Sequence, residues 1–466
     1  MGEVRNGSRE ERFKKVREAP ETPDYSLKPK IQRVPLMLRN SNTYEKYYEP
    51  RAVAIGPFHH GNPRCELAEE FKLMLTKRFL NYTRQTVEAL HQKVEEKIKE
   101  LRECYAKEAT QSCDDETLAW MLFLDGCSTL QFIQSFVDEK LEELSIKRDQ
   151  IAFAQQDLFL LENQVPYQVL ELLMSSSNKC GELKKSIETY VQANIGAPGK
   201  TQPKKPEQTQ PNVAITMEKE PAHPEEKPAH LLDLLRTRML GTQKNPDNQD
   251  KDPPKNPDKR PKDHSVQSFR NVQELDAAGI HFTLSNSNYL GDISFVSHCF
   301  AGFLSLPAIS VDDSTGPKFM NLIAYEMCPD FKNDFAVTSY ISFLDALIDH
   351  ADDVKKLRSA GVVYNLLGSD KEVAQLFNEI GTDLVPNTDI YRDVKAEIEK
   401  HYKTKWKTWM SQFCHDHFSS PWTFLAFVGV LAALGLTGIQ TWFAVYSPPS
   451  PCDVVCQNLK MRWNLK

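Results

Sequence analysis

No GxxxxGK[ST] loop, no GxGxxG following a strand, no GxSxG and no HExxH occurs in this chain. Their absence removes the common nucleotide-binding and hydrolase classes. An excess of positive charge is missing as well: 57 basic residues face 64 acidic ones, for a net charge of −7. A general nucleic-acid binder would need a basic face, so nucleic acid is not an expected partner, although a local basic patch stays open. The ten cysteines form no CxxC pair and no even framework, and in a cytosolic body they read as reduced, mostly buried thiols. The opening MGEVRNGSREERFKK has no apolar run, so no cleavable signal peptide is expected. Asn6 stands where a myristoylated Gly2 would want Ser or Thr. Charge is missing altogether between Asp416 and Asp453.

That last gap frames the most informative segment, the uncharged stretch Phe424–Tyr446. As a helix of about 23 residues it would be roughly 35 Å long, against a bilayer core of about 30 Å. Pro421 is suited to the first helical position. Trp406, Trp409 and Trp422 before the stretch, and Trp442 and Tyr446 at its end, fit interfacial aromatic belts. The expectation is a single membrane span, with the lipid bilayer as one partner, a body kept in the cytosol and a short tail beyond. Lys400, Lys403, Lys405 and Lys407 precede the span and Lys460, Arg462 and Lys466 follow it, a slight bias in favour of that direction. The glycosylation triplets at Asn6 and Asn81 would be used only if the body were lumenal. Plasma membrane and endomembrane are equally compatible.

The rest has an ordinary globular balance, 40% hydrophobic and 26% charged, and reads as a mainly α-helical body, α+β with a small antiparallel sheet. Residues 1–30 are expected to be a mobile tail, and 31–195 a helical part. Within it one helix is expected over Phe71–Ala109, on the stripe Phe79, Tyr82, Thr86, Leu90, Val94, Ile98 and Leu101. Another is expected over Asp115–Leu144, and a third over Ile151–Met174, kinked or split by Pro166. Residues 196–268 are rich in proline and polar residues and are expected to be disordered. One apolar island at 230–240 could be a short amphipathic helix. Residues 269–418 read as strands at Gly279–Ser285 and Ile293–Val311, in a small meander, followed by helices. Ser369 and Glu372 have capping-box spacing at the start of one of these helices. The span occupies 421–446 and a tail 447–466.

Several phrases together resemble the plant-specific domain-of-unknown-function 247 family, also called uncharacterised protein family 0481. They are Ile31-Gln32-Arg33-Val34-Pro35, the run from Tyr48 to Gly61 with Gly56, His59 and His60, Leu124-Asp125-Gly126-Cys127, and Asp157 to Pro166 with Glu162, Asn163 and Gln164. The island with Asp233, the phrase Asn321–Glu326, and Pro421-Trp422 complete the set. Two departures are the long insert and Met327, where such proteins often carry Gln. The resemblance implies single-pass membrane proteins with a helical body and mostly unknown biochemistry. Some grass members are implicated as pollen determinants in self-incompatibility, which implies recognition rather than catalysis.

Three readings follow. In the first, the chain is a membrane-anchored recognition or signalling protein with an unknown protein partner and no cofactor, metal or catalytic residue. In the second, it is an enzyme of unrecognised class using His59 and His60, or Asp157 and Glu162. Adjacent histidines on a strand point oppositely, and Asp157 and Glu162 lie about 140° apart on a helix, so hydrogen-bonding roles are the expected alternative. The third is an architectural protein, a homo-oligomer joined through Gly429 and Ala433 in the span. Cys414, with His415, Asp416 and His417, matches no common zinc spacing and reads as an acylation site or a solvated face. Cys452 and Cys456, just past the span, could pair, be acylated or remain free.

Overall fold

The computed structural model describes residues 9–19, 29–39, 42–195, 227–241, 270–298, 301–330, 333–403, 421–446 and 451–463. The expected disordered insert, apart from its island, and the Cys414–His417 group therefore lie outside the described residues. The chain divides into two compact units, one made of Met1–Gln273, Phe282–Val296 and Phe303–Glu397, the other of Glu274–His281, Ser297–Gly302 and Ile398–Lys466.

In the first unit, α1 (Arg9–Arg17) falls in the stretch expected to be a tail and is exposed. Buried order starts at Ile31, which bridges to Tyr105. Two short helices follow, α2 (Leu36–Arg39) and α3 (Tyr44–Tyr48).

The single helix expected over Phe71–Ala109 is instead four: α4 (Glu66–Thr83), α5 (Val87–Glu96), α6 (Ile98–Glu103) and α7 (Lys107–Thr110). Arg84 ends α4 in the left-handed conformation, φ 54°, and the Thr86 hydroxyl restarts the chain by accepting the Ala89 N–H. That pairing of a left-handed stop with an N-cap is what divides the helix. Most of the stripe survives the breaks: Phe79, Leu90, Val94, Ile98 and Leu101 are buried, whereas Tyr82 is half-buried and Thr86, the N-cap of α5, is exposed.

Helix α8 (Asp115–Val137) is buried on nearly every face and forms the centre on which α4, α5, α6 and α10 pack. Asp114 caps it by accepting the Thr117 N–H at 2.7 Å, and it ends at Val137, short of the expected Leu144, with a 3₁₀ turn at Leu141–Leu144 beyond. Gly126 permits the crossing with α10, since a Cβ there would stand 2.6 Å from Leu173 and 2.9 Å from Val169. The third expected helix is also two, α9 (Arg148–Asp157) and α10 (Tyr167–Ser175), with residues 158–166 as a buried loop between them. Then come α11 (Cys180–Ile195) and the island, α12 (Leu231–Leu240), whose Leu231, Leu232, Leu234, Leu235 and Met239 are buried against α11 and α15.

After α13 (Val272–Ala277) come the strands β1 (Ile280–Leu284), β2 (Ser294–Ser297) and β3 (Gly302–Leu306). Their sheet has the order β1-β3-β2, so it is not the expected meander. Strand β4 (Ile309–Val311) pairs with β5 (Val363–Asn365) in parallel register, Ile309 opposite Val363, and this second sheet departs from the antiparallel expectation. The link between β4 and β5 is helical, as parallel pairing requires: α14 (Thr315–Glu326), α15 (Ala336–Leu347) and α16 (Ala351–Ser359). Helix α17 (Asp370–Ile380) starts at the Ser369–Glu372 cap, and α18 (Arg392–Lys403) follows. The architecture is a helical body with two small sheets.

The second unit carries the helix Pro421–Val445 and, past it, the helix Pro451–Trp463 within the expected tail. Within the former, Leu425–Val445 has a mean hydropathy of 1.6 and none of it is buried in the protein, so it is long and apolar enough to cross a membrane. Its polar hydroxyls are satisfied internally: Thr437 donates to the Ala433 carbonyl at 2.7 Å and Thr441 to that of Thr437 at 2.8 Å.

Candidate functional site

The polar residues singled out above gather around two loops of the first unit, residues 49–61 and 158–166. Asp157, the last residue of α9, sits 1% exposed beneath the first loop. Its carboxylate accepts the backbone N–H groups of Arg51 at 3.1 Å, Ala52 at 2.7 Å and Val53 at 2.9 Å. Burial pushes this carboxyl up to about 6, against the opposing pull of those three donors. Asn163 continues the clamp, accepting the Ile55 N–H at 2.7 Å and donating to the carbonyls of Val53 and Asp157.

Gln164 holds its own loop. Its amide donates to the Leu158 and Leu160 carbonyls, both at 2.8 Å, while its oxygen accepts the Leu232 N–H at the start of α12. The Gln164 backbone carbonyl accepts from the Tyr105 hydroxyl at 3.0 Å. Gly56 lies over that same carbonyl with φ +71°, and a Cβ there would come within 2.6 Å of the oxygen. Only glycine combines that backbone conformation with that approach. The Gly56 N–H donates to Asp125 Oδ2 at 2.7 Å, and Asp125 Oδ1 pairs with Lys72 Nζ at 2.6 Å, both side chains almost fully buried. Burial raises the Asp125 carboxyl, and the Lys72 cation opposes it.

Glu162 faces another way. It accepts the Val34 N–H at 2.8 Å and the Tyr44 hydroxyl at 3.4 Å, and its second oxygen lies 3.6 Å from His59 Nε2. A carboxylate at that distance favours the imidazolium, yet burial and the Arg33 charge prevail and bring His59 down to about 4. His59 is thus a neutral ring against Glu162, whereas His60 and Gly61 are exposed. The two histidines do not converge, and Asp157 and Glu162 serve different loops. Among the described residues no group of three or more His, Cys, Asp or Glu side chains could hold a metal ion.

A second cluster ties α12 to α14 and α15. His230 caps α12, its Nδ1 accepting the Asp233 N–H at 3.2 Å, and Asp233 returns by accepting the Ala229 N–H at 2.8 Å. Complete burial brings the His230 ring down to about 4. Glu326, fully buried, accepts the N–H groups of Val337 and Thr338 and the Thr338 hydroxyl, which caps α15. Arg236 spans Glu326 and Asp334 at 2.7 and 2.6 Å. Between the clusters, Asn321 accepts the Leu161 N–H and donates to the Tyr47 and Pro317 carbonyls, all at 2.8 Å.

Sequence reasoning named Asp125, Asp157, Glu162, Asn163, Gln164, Asp233 and Glu326 but missed Lys72 and Arg236. Lys72 sits in a charge-rich stretch where nothing separates it from its solvated neighbours. Pro166 is the N-cap of α10, directly ahead of the first helical residue Tyr167, where its missing N–H costs no intrahelical hydrogen bond. Of the cysteines past the apolar helix, Cys452 and Cys456 are exposed free thiols on the helix Pro451–Trp463.

What these residues define is a helical body whose loops are pinned by buried carboxylates and amides. The chain matches DUF247, plant protein of unknown function, over residues 31–436, and it belongs to that family. It is 28% identical to the UPF0481 protein At3g47200 of Arabidopsis thaliana, over 86% of this chain and 83% of the relative. A second Arabidopsis UPF0481 protein, At3g02645, is 23% identical over 86% of this chain and 87% of its own. No solved structure matches the chain.

Proposed function

We propose that this chain is a membrane-tethered recognition protein whose helical body presents a surface to a protein partner. The observation that carries the reading is the use of the polar family residues. Asp125, Asp157, Glu162, Asn163, Gln164 and Glu326 spend their polar atoms on backbone donors, carbonyls and ion pairs inside the body. Such groups fix loop shape for display, and they do not converge on a common point as acid, base and nucleophile would.

The tether in this reading is Leu425–Val445, with the body on the cytosolic side. A surface suited to contact lies on α2, where Leu36 and Met37 are 66% and 71% exposed, two residues beyond the Val34 that Glu162 anchors. Adjacent exposed apolar side chains of this size on a fixed helix suit a protein contact better than solvent. The test is proximity labelling from the full-length protein in plant cells. The reading expects a small set of proteins recovered repeatedly, lost when Leu36 and Met37 are both changed to Ser. Repeated experiments returning only general membrane neighbours would overturn it.

A further inference from the structure

Beside the Asp157 clamp the body holds a cavity of about 160 Å³ between α4, α8, α9 and the 51–55 loop. Its walls are mainly apolar, with Phe71, Leu75, Phe132, Ile151, Phe153 and Leu158 among them. A dry apolar cavity of about 150 Å³ accepts one benzene-sized ring. Arg51, Arg64 and Leu67 are exposed and mark the mouth, whereas Leu75, Thr129 and Phe132 are buried and form the floor.

Two polar features distinguish this cavity from a packing defect. Thr129 is 3% exposed, and its hydroxyl has no hydrogen-bond partner among the described residues, although an unpaired buried hydroxyl is costly. The basic lining groups are also unequal. Arg64 pairs with Glu45 and Glu49, and Lys72 pairs with Asp125 and Glu69. Arg51 makes no ion pair among the described residues; its guanidinium lies 4.2 Å from the centre of the Phe153 ring. A guanidinium stacked in this way keeps its N–H edge free, and that edge matches the two oxygens of a planar carboxylate. Its backbone is already held by Asp157, so the mouth is preorganised at this residue.

We infer that this cavity is a binding site for a small monocarboxylic acid bearing one aromatic ring. The ring occupies the apolar walls between α4, α8 and α9, the carboxylate meets Arg51 at the mouth, and a polar ring substituent can satisfy the Thr129 hydroxyl. This site stands apart from the α2 surface proposed for a protein partner, so either assignment can fail without the other.

The experiment titrates phenylacetate and its neutral analogue phenylacetamide into the full-length protein in lipid nanodiscs, read by calorimetry. Phenylacetate is expected to bind saturably and about tenfold more tightly than the amide, the effect of one charge-assisted hydrogen bond. Arg51→Gln is expected to remove that difference while leaving the amide's affinity unchanged. Ala154→Phe, which fills the cavity wall, is expected to abolish binding of both. Should Ala154→Phe fail to fold, Arg51→Gln, whose side chain is exposed, still decides the matter. Absence of saturable binding, equal affinity for acid and amide, or full acid affinity in Arg51→Gln would each overturn the assignment.

Discussion

Lys72 of α4 and Asp125 of α8 meet as a buried ion pair, Nζ to Oδ1 at 2.6 Å, while the other Asp125 oxygen accepts the Gly56 N–H. This triangle joins the central helix, the helix that covers it and the 49–61 loop. Removing one partner strands a charge in the interior, so Lys72→Met should cost about 3–5 kcal/mol. Adding Asp125→Asn keeps an acceptor for Gly56 and removes the stranded charge, so the double variant should recover more than half of that loss. Chemical denaturation of the two single variants and the double variant measures the coupling, and strict additivity would contradict the arrangement.

The two glycines of the loop should respond differently to alanine. Both have positive φ, +71° at Gly56 and +76° at Gly61, but only Gly56 lies against backbone. Gly61→Ala should therefore cost about 1 kcal/mol, the left-handed penalty alone. At Gly56 the clash with the Gln164 carbonyl adds to it, and the loss should reach about 3 kcal/mol or prevent folding. Equal midpoints of thermal unfolding for the two variants would refute the close approach.

Asp157 is expected to act through the loop rather than through the core. Asp157→Ala leaves the N–H groups of Arg51, Ala52 and Val53 without their acceptor, at about 1–3 kcal/mol for a buried donor left unpaired. Hydrogen exchange should rise selectively over residues 51–55, with protection in α8 retained. Uniform loss of protection across the body would show that Asp157 instead supports global stability.

Stability should fall on mild acidification. The folded values of His59 and His230 are depressed to about 4 from 6.5. A group depressed in this way contributes stability above its unfolded value and loses it as pH falls from 6.5 through 4, up to about 3 kcal/mol for each ring. Asp157 has the opposite sign: with its folded value raised to about 6 from 3.8, its contribution is present below 3.8 and is lost as pH rises through 6. The net decline between pH 6.5 and 4 is thus less than the two histidines alone would give. His230→Asn keeps a capping oxygen for the Asp233 N–H and removes one titrating ring, so its stability should depend less on pH. An unchanged slope in urea midpoints would contradict the assignment of His230.

Much of this body is legible in the sequence because local rules and packing agree. Five of the seven stripe positions from Phe79 to Leu101, the Ser369–Glu372 cap and the leucines of the 230–240 island end up in the roles that periodicity and capping give them, while Tyr82 is half-buried and Thr86 is an exposed N-cap. Apart from the split that Pro166 signals between α9 and α10, the helix breaks were not legible. Nothing about arginine signals the left-handed turn at Arg84, and residues 158–166 look helical because their apolar side chains are buried, yet their backbone is held by Gln164 and Asn321 from within and afar. The motif residues could be named from the sequence, but their partners could not, because Asp157 and Arg51, or Asn321 and Leu161, are brought together only by the completed fold. The parallel β4–β5 pairing is similarly remote, since two three-residue strands separated by three helices carry no local signal of register.

Tethering through Leu425–Val445 is the central claim, and alkaline carbonate extraction of membranes carrying the full-length protein tests it most directly. The account predicts that the protein stays in the membrane pellet, and that it moves to the supernatant when Leu431 and Leu436 are both changed to Arg, each charge costing about 2.5–3.5 kcal/mol at the centre of a span. Release of the unaltered protein by carbonate would contradict it.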